Sequence, residues 1–434
     1  MIHGGMNHLT RISAVLLLLI LASCSSKKEQ PSDAGMDSQI TPDASGDSDT
    51  DTDSDTDSDT DSDSDTDTDS DSDTDADAGA WQPIPDGGKY CGEHCRQVTF
   101  VPEVRTEYDL NNGYLVYSDN DLNIWIVDLN RMQKRFISKS DWPNYASFYP
   151  TTYGGKTYYL TQHNRNTNEE SGTQIIYELD ISSWYSTEIT KFNLFNEPSP
   201  QSLLARGDYV CMYMDPPGVE TAKGHIECLN LDTKVVKRID DPEWPGGPFH
   251  NGKYMAHYYR IPSPPFGSGT HIKVRQIEDA GISKTWDYLG DKGYHYMSDK
   301  GLVWVDWRND TLGDKNGNSM RYNSDIYYLD LETLEEEPVS THPAIQRFPA
   351  VDGNLVVWMD KRDCQDMNSA PSQEGEAIYL YNMETKKEVN LTQEDTDWKD
   401  YVRMSGRWVS FLSPSDPGIN IFIIDLEAMG LYSE

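Results

Sequence analysis

One phrase recurs seven times along the chain: an Ile, three residues, a small polar residue, then Leu, Ile or Met. It reads IWIVDL from Ile124, IYELDI from Ile176, IECLNL from Ile226, IKVRQI from Ile272, IYYLDL from Ile326, IYLYNM from Ile378 and IFIIDL from Ile421. Successive Ile markers lie 52, 50, 46, 54, 52 and 43 residues apart. Each copy follows a Gly and a short apolar run ending in an aromatic, such as GYLVY from Gly113, GNLVVW from Gly353 and GRWVSF from Gly406. No helical periodicity of useful length interrupts these short runs and polar turns. A single four-stranded sheet cannot bury both of its faces, whereas seven arranged radially bury each face against a neighbour and leave only short edges. A period in the forties to fifties therefore predicts an all-β fold: a seven-bladed β-propeller of four-stranded antiparallel blades over residues 105–434.

The last unit stops soon after IFIIDL, so its outer strand is short or missing. The apolar-alternating QVTFV, from Gln97 to Val101, has no unit of its own and is expected to complete blade seven within a lead-in of residues 81–104. Cys91 and Cys95 lie close enough to pair, although CGEHC also admits a metal reading with His94. Cys211 and Cys228 fall on adjacent strands of blade three, facing the same side, either as a cross-strand disulfide or as two buried thiols. Cys364 is left over.

Upstream, Arg11, the apolar run from Ile12 to Leu21 and the sequence Leu21-Ala22-Ser23-Cys24 have the anatomy of a secretory signal, 1–23. The ending resembles the lipobox of bacterial lipoproteins, which implies lipidation of Cys24; Ser25 after it suggests the outer membrane. Residues 24–80 are read as a disordered acidic spacer. From residue 47 to 77 every odd position is Asp, with only Ser, Thr and one Ala between. Such a tract cannot offset its ordering entropy and is extended by self-repulsion. A lipid end and an extended tether together imply a domain held away from a membrane, in the periplasm or at the cell surface. The chain carries a net charge of −37. Of that, −20 falls on residues 81–434, which hold 33 basic and 53 acidic side chains. An acidic domain on an acidic tether is a poor binder of nucleic acid.

The phrases LVWVDWRND, LVVWMDKRD and DIYYLDLETLEEEPVS resemble exported members of the TolB-like propeller family. The resemblance covers residues 105–434 and implies the architecture. TolB itself carries an extra α/β domain ahead of its propeller, and no such domain is expected here.

Propeller function usually sits on the face that carries the blade crossings and the turns between second and third strands. Those turns are longest in blades five and six. Their contents and the neighbouring inner strand, Trp307, Arg308, Arg321, Tyr322, Arg347 and Arg362, suit recognition of a glycan, peptide or protein. The structural alternative is that Asp119, Asp215, Asp306 and Asp360, each two residues past an aromatic, cap their own turns, with Arg308 and Arg362 paired to the last two. No Gly-x-Ser-x-Gly elbow, His-Glu-x-x-His or phosphate loop is present. His250, His295, His342 and Gln346 are similar in type and region to the metal ligands of oligogalacturonate lyases, also seven-bladed propellers. This implies a metal-dependent carbohydrate lyase or hydrolase as the alternative; a structural member of an envelope complex is a third. The reading carried forward is a monomeric, lipid-anchored binding module with no cofactor.

Overall fold

The computed structural model describes residues 80–433 except 139, 141–144, 164–171, 195–196, 217–223, 241–246, 262–268, 280–281, 286–291, 311–322, 365–374, 394 and 417. The leader, Cys24 and the acidic tract lie outside the described residues, as do Arg321 and Tyr322.

Seven antiparallel sheets follow one another along the chain, each of four or five strands. Their innermost strands begin at Val104, Tyr145, Leu204, Phe249, Lys292, Gln346 and Asp400. Blade three departs from the regular pattern, because its inner strand is split into Ser199–Pro200 and Leu204–Arg206.

Two local devices explain why the repeated phrase folds as it does. The apolar residue that ends each phrase donates its N–H to a carbonyl in the turn between first and second strands: Leu129 to Gly113, Ile181 to Gly155, Leu231 to Asp208, Ile277 to Lys253, Leu331 to Lys300, Met383 to Asn354 and Leu426 to Arg407. The small polar residue before it folds the chain into the outer strand. Asp330 Oδ1, for example, accepts from the N–H groups of Glu332 at 2.9 Å and Thr333 at 2.7 Å. Asp128, Asp180, Asn230, Asn382 and Asp425 act alike. Four residues on, the turn closes through a left-handed residue at Met132, Trp184, Lys234, Leu334 and Lys386. The polar side chain thus offers the backbone a turn where a strand would otherwise continue.

The core lies between the blades. Val303 and Val305 of blade five pack with Phe348 and Val357 of blade six and with Val402 and Phe411 of blade seven, while Leu412 and Ile421 of blade seven meet Leu110 and Tyr117 of blade one.

Residues ahead of the first unit join both ends of the ring. Gln82–Pro83 adds a fifth strand to the outer edge of blade one, against Gln133 and Lys134. Cys95–Gln97 then pairs with Gly418–Asp425 on the outer side of blade seven, in the register Cys95↔Ile424 and Gln97↔Phe422. Regular pairing stops at Gln97, earlier than QVTFV suggests, because a side chain takes over. Val98 N–H still reaches the Ile421 carbonyl, but Asn420 Oδ1 then accepts from Thr99 Oγ1 and Val101 N–H, while its Nδ2 donates to the Val101 carbonyl. The Tyr90–Gly92 strand folds back on this closing strand, and a Cys91–Cys95 disulfide holds the pair at a Cα separation of 5.0 Å. Cys211 and Cys228 stand directly opposite each other and are disulfide-bonded, fully buried, with Cα atoms 4.0 Å apart. Cys364 is free and half-buried.

Candidate functional site: the mouth of the central channel

The paired Arg residues prove to be parts of their blades. Asp306 Oδ1 accepts the Arg308 N–H at 2.8 Å, and its Oδ2 accepts both the Trp304 indole N–H at 3.0 Å and the Arg308 guanidinium at 2.6 Å. Arg308 also reaches Glu336 at 2.5 Å and lies 4.0 Å over the Tyr327 ring. Blade six repeats this: Asp360 holds the Arg362 N–H, the Trp358 indole and the Arg362 guanidinium, which pairs with Glu388 and covers Tyr379 at 4.2 Å. The Trp-x-Asp-x-Arg pattern is therefore a stitch through three strands of one blade, and it engages the carboxylates and the terminal guanidinium nitrogens that recognition would need. Trp307 is buried against Gly293, where an added Cβ would come within 3.0 Å of the indole. Asp119 caps its own turn through the Asp121 and Asn123 N–H groups. Asp360→Ala leaves a buried indole N–H and a guanidinium without their acceptor; it should destabilise the domain by about 3 kcal/mol, measured by urea unfolding, with Asp360→Asn costing less because one oxygen remains.

The histidine and glutamine set is not gathered. His250 is fully buried, its Nε2 2.8 Å from the Leu204 carbonyl; burial pushes its pKa down to about 4. His295 packs edge-on between Phe249 and Tyr258, with Nε2 3.3 Å from the Ala256 carbonyl. Burial again depresses its pKa, to about 3. Gln346 Nε2 donates to the His342 carbonyl at 3.3 Å. Among the described residues, no three His, Cys, Asp or Glu side chains are placed to hold a metal ion.

What the inner strands do converge on is a set of aromatic rings. In blades two, five, six and seven the inner strand carries one extra residue, a β-bulge, at Phe148/Thr151, Gly293/Tyr296, Arg347/Ala350 and Asp400/Arg403. Each bulge holds an aromatic residue in the left-handed region: Tyr149 (φ 51°), Tyr294 (φ 42°), Phe348 (φ 50°) and Tyr401 (φ 52°). A bulky side chain rarely adopts this conformation, and such strain concentrates where a side chain is being aimed. Tyr294 and Phe348 have ring centroids 4.5 Å apart, and Phe348 and Tyr401 4.8 Å, so three successive blades meet around the axis. The arc continues through Glu107 of blade one, whose charge acts on both Tyr401 and Tyr149. Blades three and four have small residues at the start of their inner segments; a Cβ on Gly247 would lie 3.9 Å from Ser202 Oγ. Tyr294 is 41% exposed, whereas Phe348 is buried.

Two residues further along the same strands, charged side chains bridge the blades. Arg206 of blade three makes a two-pronged pair with Asp109 of blade one, at 2.9 and 2.8 Å, and Asp109 also accepts from Thr151 and Thr152 of blade two. Burial pushes the Asp109 pKa up, but the Arg206 charge and these hydrogen bonds outweigh it and hold the carboxyl below its ordinary range. Arg403 of blade seven lies between the Tyr108 and Tyr296 rings, 5.4 and 5.6 Å from their centroids.

Between blades six and seven, beside the aromatic rings, stand Arg347 and Asp400. Arg347 Nε is buried with no hydrogen-bond partner among the described residues, and the Asp400 carboxyl accepts no hydrogen bond from them. Below them Lys399 Nζ donates to three carbonyls, of Glu376, Asp395 and Asp397, and Lys361 lies 3.4 Å from Glu376. Desolvation and then the Glu376 charge raise Asp400 to about 7, against the opposing pull of Arg347 and Lys361. An unfolded Asp titrates near 3.9, so the native state binds the extra proton and stability should fall as pH rises from about 4 to about 7. Asp400→Asn should remove that decline and be more stable by about 1 kcal/mol at pH 8, a figure discounted for partial exposure and read from thermal unfolding across pH.

No protein-family model matches the chain, and no curated protein sequence matches it either. Solved structures do match. An oligogalacturonate lyase in complex with manganese aligns with a TM-score of 0.53 and 14% identity, over 80% of this chain and 98% of that one. An oligogalacturonate lyase from Vibrio parahaemolyticus gives 0.53 and 12% over the same shares. The β-propeller domain of the Trilobed protease from Pyrococcus furiosus gives 0.51 and 14%, over 75% and 95%. At these identities the likeness establishes a shared fold. The chain is a seven-bladed β-propeller, the fold it shares with these structures.

Proposed function

We propose that this protein is an exported, lipid-anchored binding module of the cell envelope, that it is non-catalytic, and that it takes its ligand at the mouth of the central channel. The observation that carries the site is the arc of left-handed aromatics beside Arg347, whose buried Nε has no hydrogen-bond partner among the described residues, and Asp400, whose charge Arg347 opposes. The anchor rests on the sequence around Cys24, and the outer membrane and the envelope glycan, peptide or protein partner remain part of the proposal. The residues Trp307, Arg308 and Arg362 support their blades through the contacts described above, whereas Arg347 stands beside the aromatic arc and is the member of the set placed to meet a ligand there.

Two tests bear on it. Cys24→Ser should abolish lipidation and release the full-length chain into the soluble fraction; retention in the membrane would remove the anchor. Screening that soluble chain against envelope glycans and peptides should yield a ligand that Tyr294→Ala weakens. The fold shared with two oligogalacturonate lyases, one of them holding manganese, keeps a metal-dependent lyase as the competing reading. Stoichiometric metal in the purified chain together with depolymerised polysaccharide would decide for the lyase.

A further inference from the structure

Building on the binding-module reading, we propose that the crevice between blades six and seven binds the terminal ring of an uncharged glycan, with the sugar stacked on Tyr294 and its hydroxyls shared between Arg347 and Asp400. Three features of the mouth lead there. The first is a donor left open beside a carboxyl: Arg347 Nε is buried without a partner among the described residues, and Asp400 stands within reach of its charge. Arg347 and Asp400 begin neighbouring inner strands and feel each other's charge, yet they form no ion pair with each other. A buried polar atom without a partner carries a desolvation cost that a ligand can remove. A hydroxyl both donates and accepts, so adjacent hydroxyls of one ring can satisfy a carboxyl and a guanidinium that do not reach each other.

The second is the aromatic platform. Tyr294 rests on Phe348, which rests on Tyr401, so the exposed ring is braced from below and loses little entropy when a flat, apolar sugar face settles on it. The third is the charged bridge. The Asp109–Arg206 pair bridges blades one and three two residues further along the inner strands, with Arg403 stacked on Tyr108 and Tyr296, and in this proposal it acts as a barrier that admits only the end unit of a polymer. Charge selects within the class. At the mouth the Arg347 charge is offset by Glu107 and Asp400, and the domain around it carries 53 acidic and 33 basic side chains, so the overall field opposes a uronate or other polyanion.

The test uses the full-length chain carrying Cys24→Ser and isothermal titration with defined neutral oligosaccharides of increasing length, the same sugars with the terminal unit capped, oligogalacturonate and zwitterionic dipeptides. Neutral sugars should bind; affinity should level off after two or three units and be lost on capping. Tyr294→Ala and Asp400→Asn should each weaken binding by about tenfold, and Tyr294→Phe should restore most of it. Stronger binding of oligogalacturonate or of dipeptides overturns the ligand class, and affinity that climbs with every added unit overturns end recognition. A neutral sugar that binds wild type and both variants equally places the site elsewhere while leaving the binding-module reading intact. A panel in which nothing binds removes the proposal, and a peptide or protein captured at the Tyr294 mouth by the broader screen would then preserve the module alone.

Discussion

Arg206→Met should lower the free energy of unfolding by about 3–5 kcal/mol at neutral pH, the largest effect expected of any side-chain change in the domain. Arg206 and Asp109 are both buried, come from blades three and one, and complete their hydrogen bonding with blade two. Removing the guanidinium strands a buried carboxylate. In the wild type Asp109 titrates below its unfolded value, so its contribution is present above about pH 4 and is lost as pH falls through the folded pKa. In the variant, burial acts unopposed and moves the carboxyl above its unfolded value. The gap between the two proteins should therefore narrow on acidification from pH 7 towards pH 4. Urea unfolding at a series of pH values measures this, and a constant gap would show that Asp109 is not the group left behind.

Asn420→Ala should cost about 2–4 kcal/mol, although it removes only a small amide. The fully buried side chain of Asn420 serves Thr99, both polar backbone groups of Val101 and Ser415, and so continues by other means a ladder whose regular pairing stops at Gln97. Without it, buried backbone groups of the closing segment lose partners that water cannot replace. Chemical unfolding gives the stability loss. Hydrogen exchange should show the amides of 98–101 opening first, whereas uniform loss of protection would mean that this amide holds the whole ring and not its seam.

The blades were legible because six of the seven repeats spell out their own turns. The Asp or Asn of the Ile phrase is the turn-forming group itself, and the residue after it is the one tied back to the first turn. The closing segment was legible because an apolar alternating stretch had no unit to join. The mouth was not. Tyr149, Phe348 and Tyr401 read as ordinary inner-strand aromatics, since period-two patterning gives no sign that a bulge turns a ring towards the axis. Their common distance of five residues from Gly154, Gly353 and Gly406 was the available signal. Arg308 and Arg362 misled for a related reason: a long loop drew attention to its contents, while their recurrence within Trp-x-Asp-x-Arg already marked them as parts of the repeat.

The lead-in has a mechanical consequence. Any tension applied through the N-terminal segment enters the domain at Trp81 and is first borne by Gln82–Pro83, a two-residue strand on the rim of blade one whose departure leaves four strands behind. Beyond that strand the load meets buried Ile84, tied to Met132, then Lys89 and Tyr90, bonded to Gln97 and paired with Arg96, and at Cys91 the disulfide carries it past Gly92 to His94 and delivers it to Cys95, at the end of the strand that closes blade seven. The rim attachment from Trp81 to Ile84 thus lies ahead of the disulfide in the path of the load, and its release lengthens the connection while the closing strand is still paired.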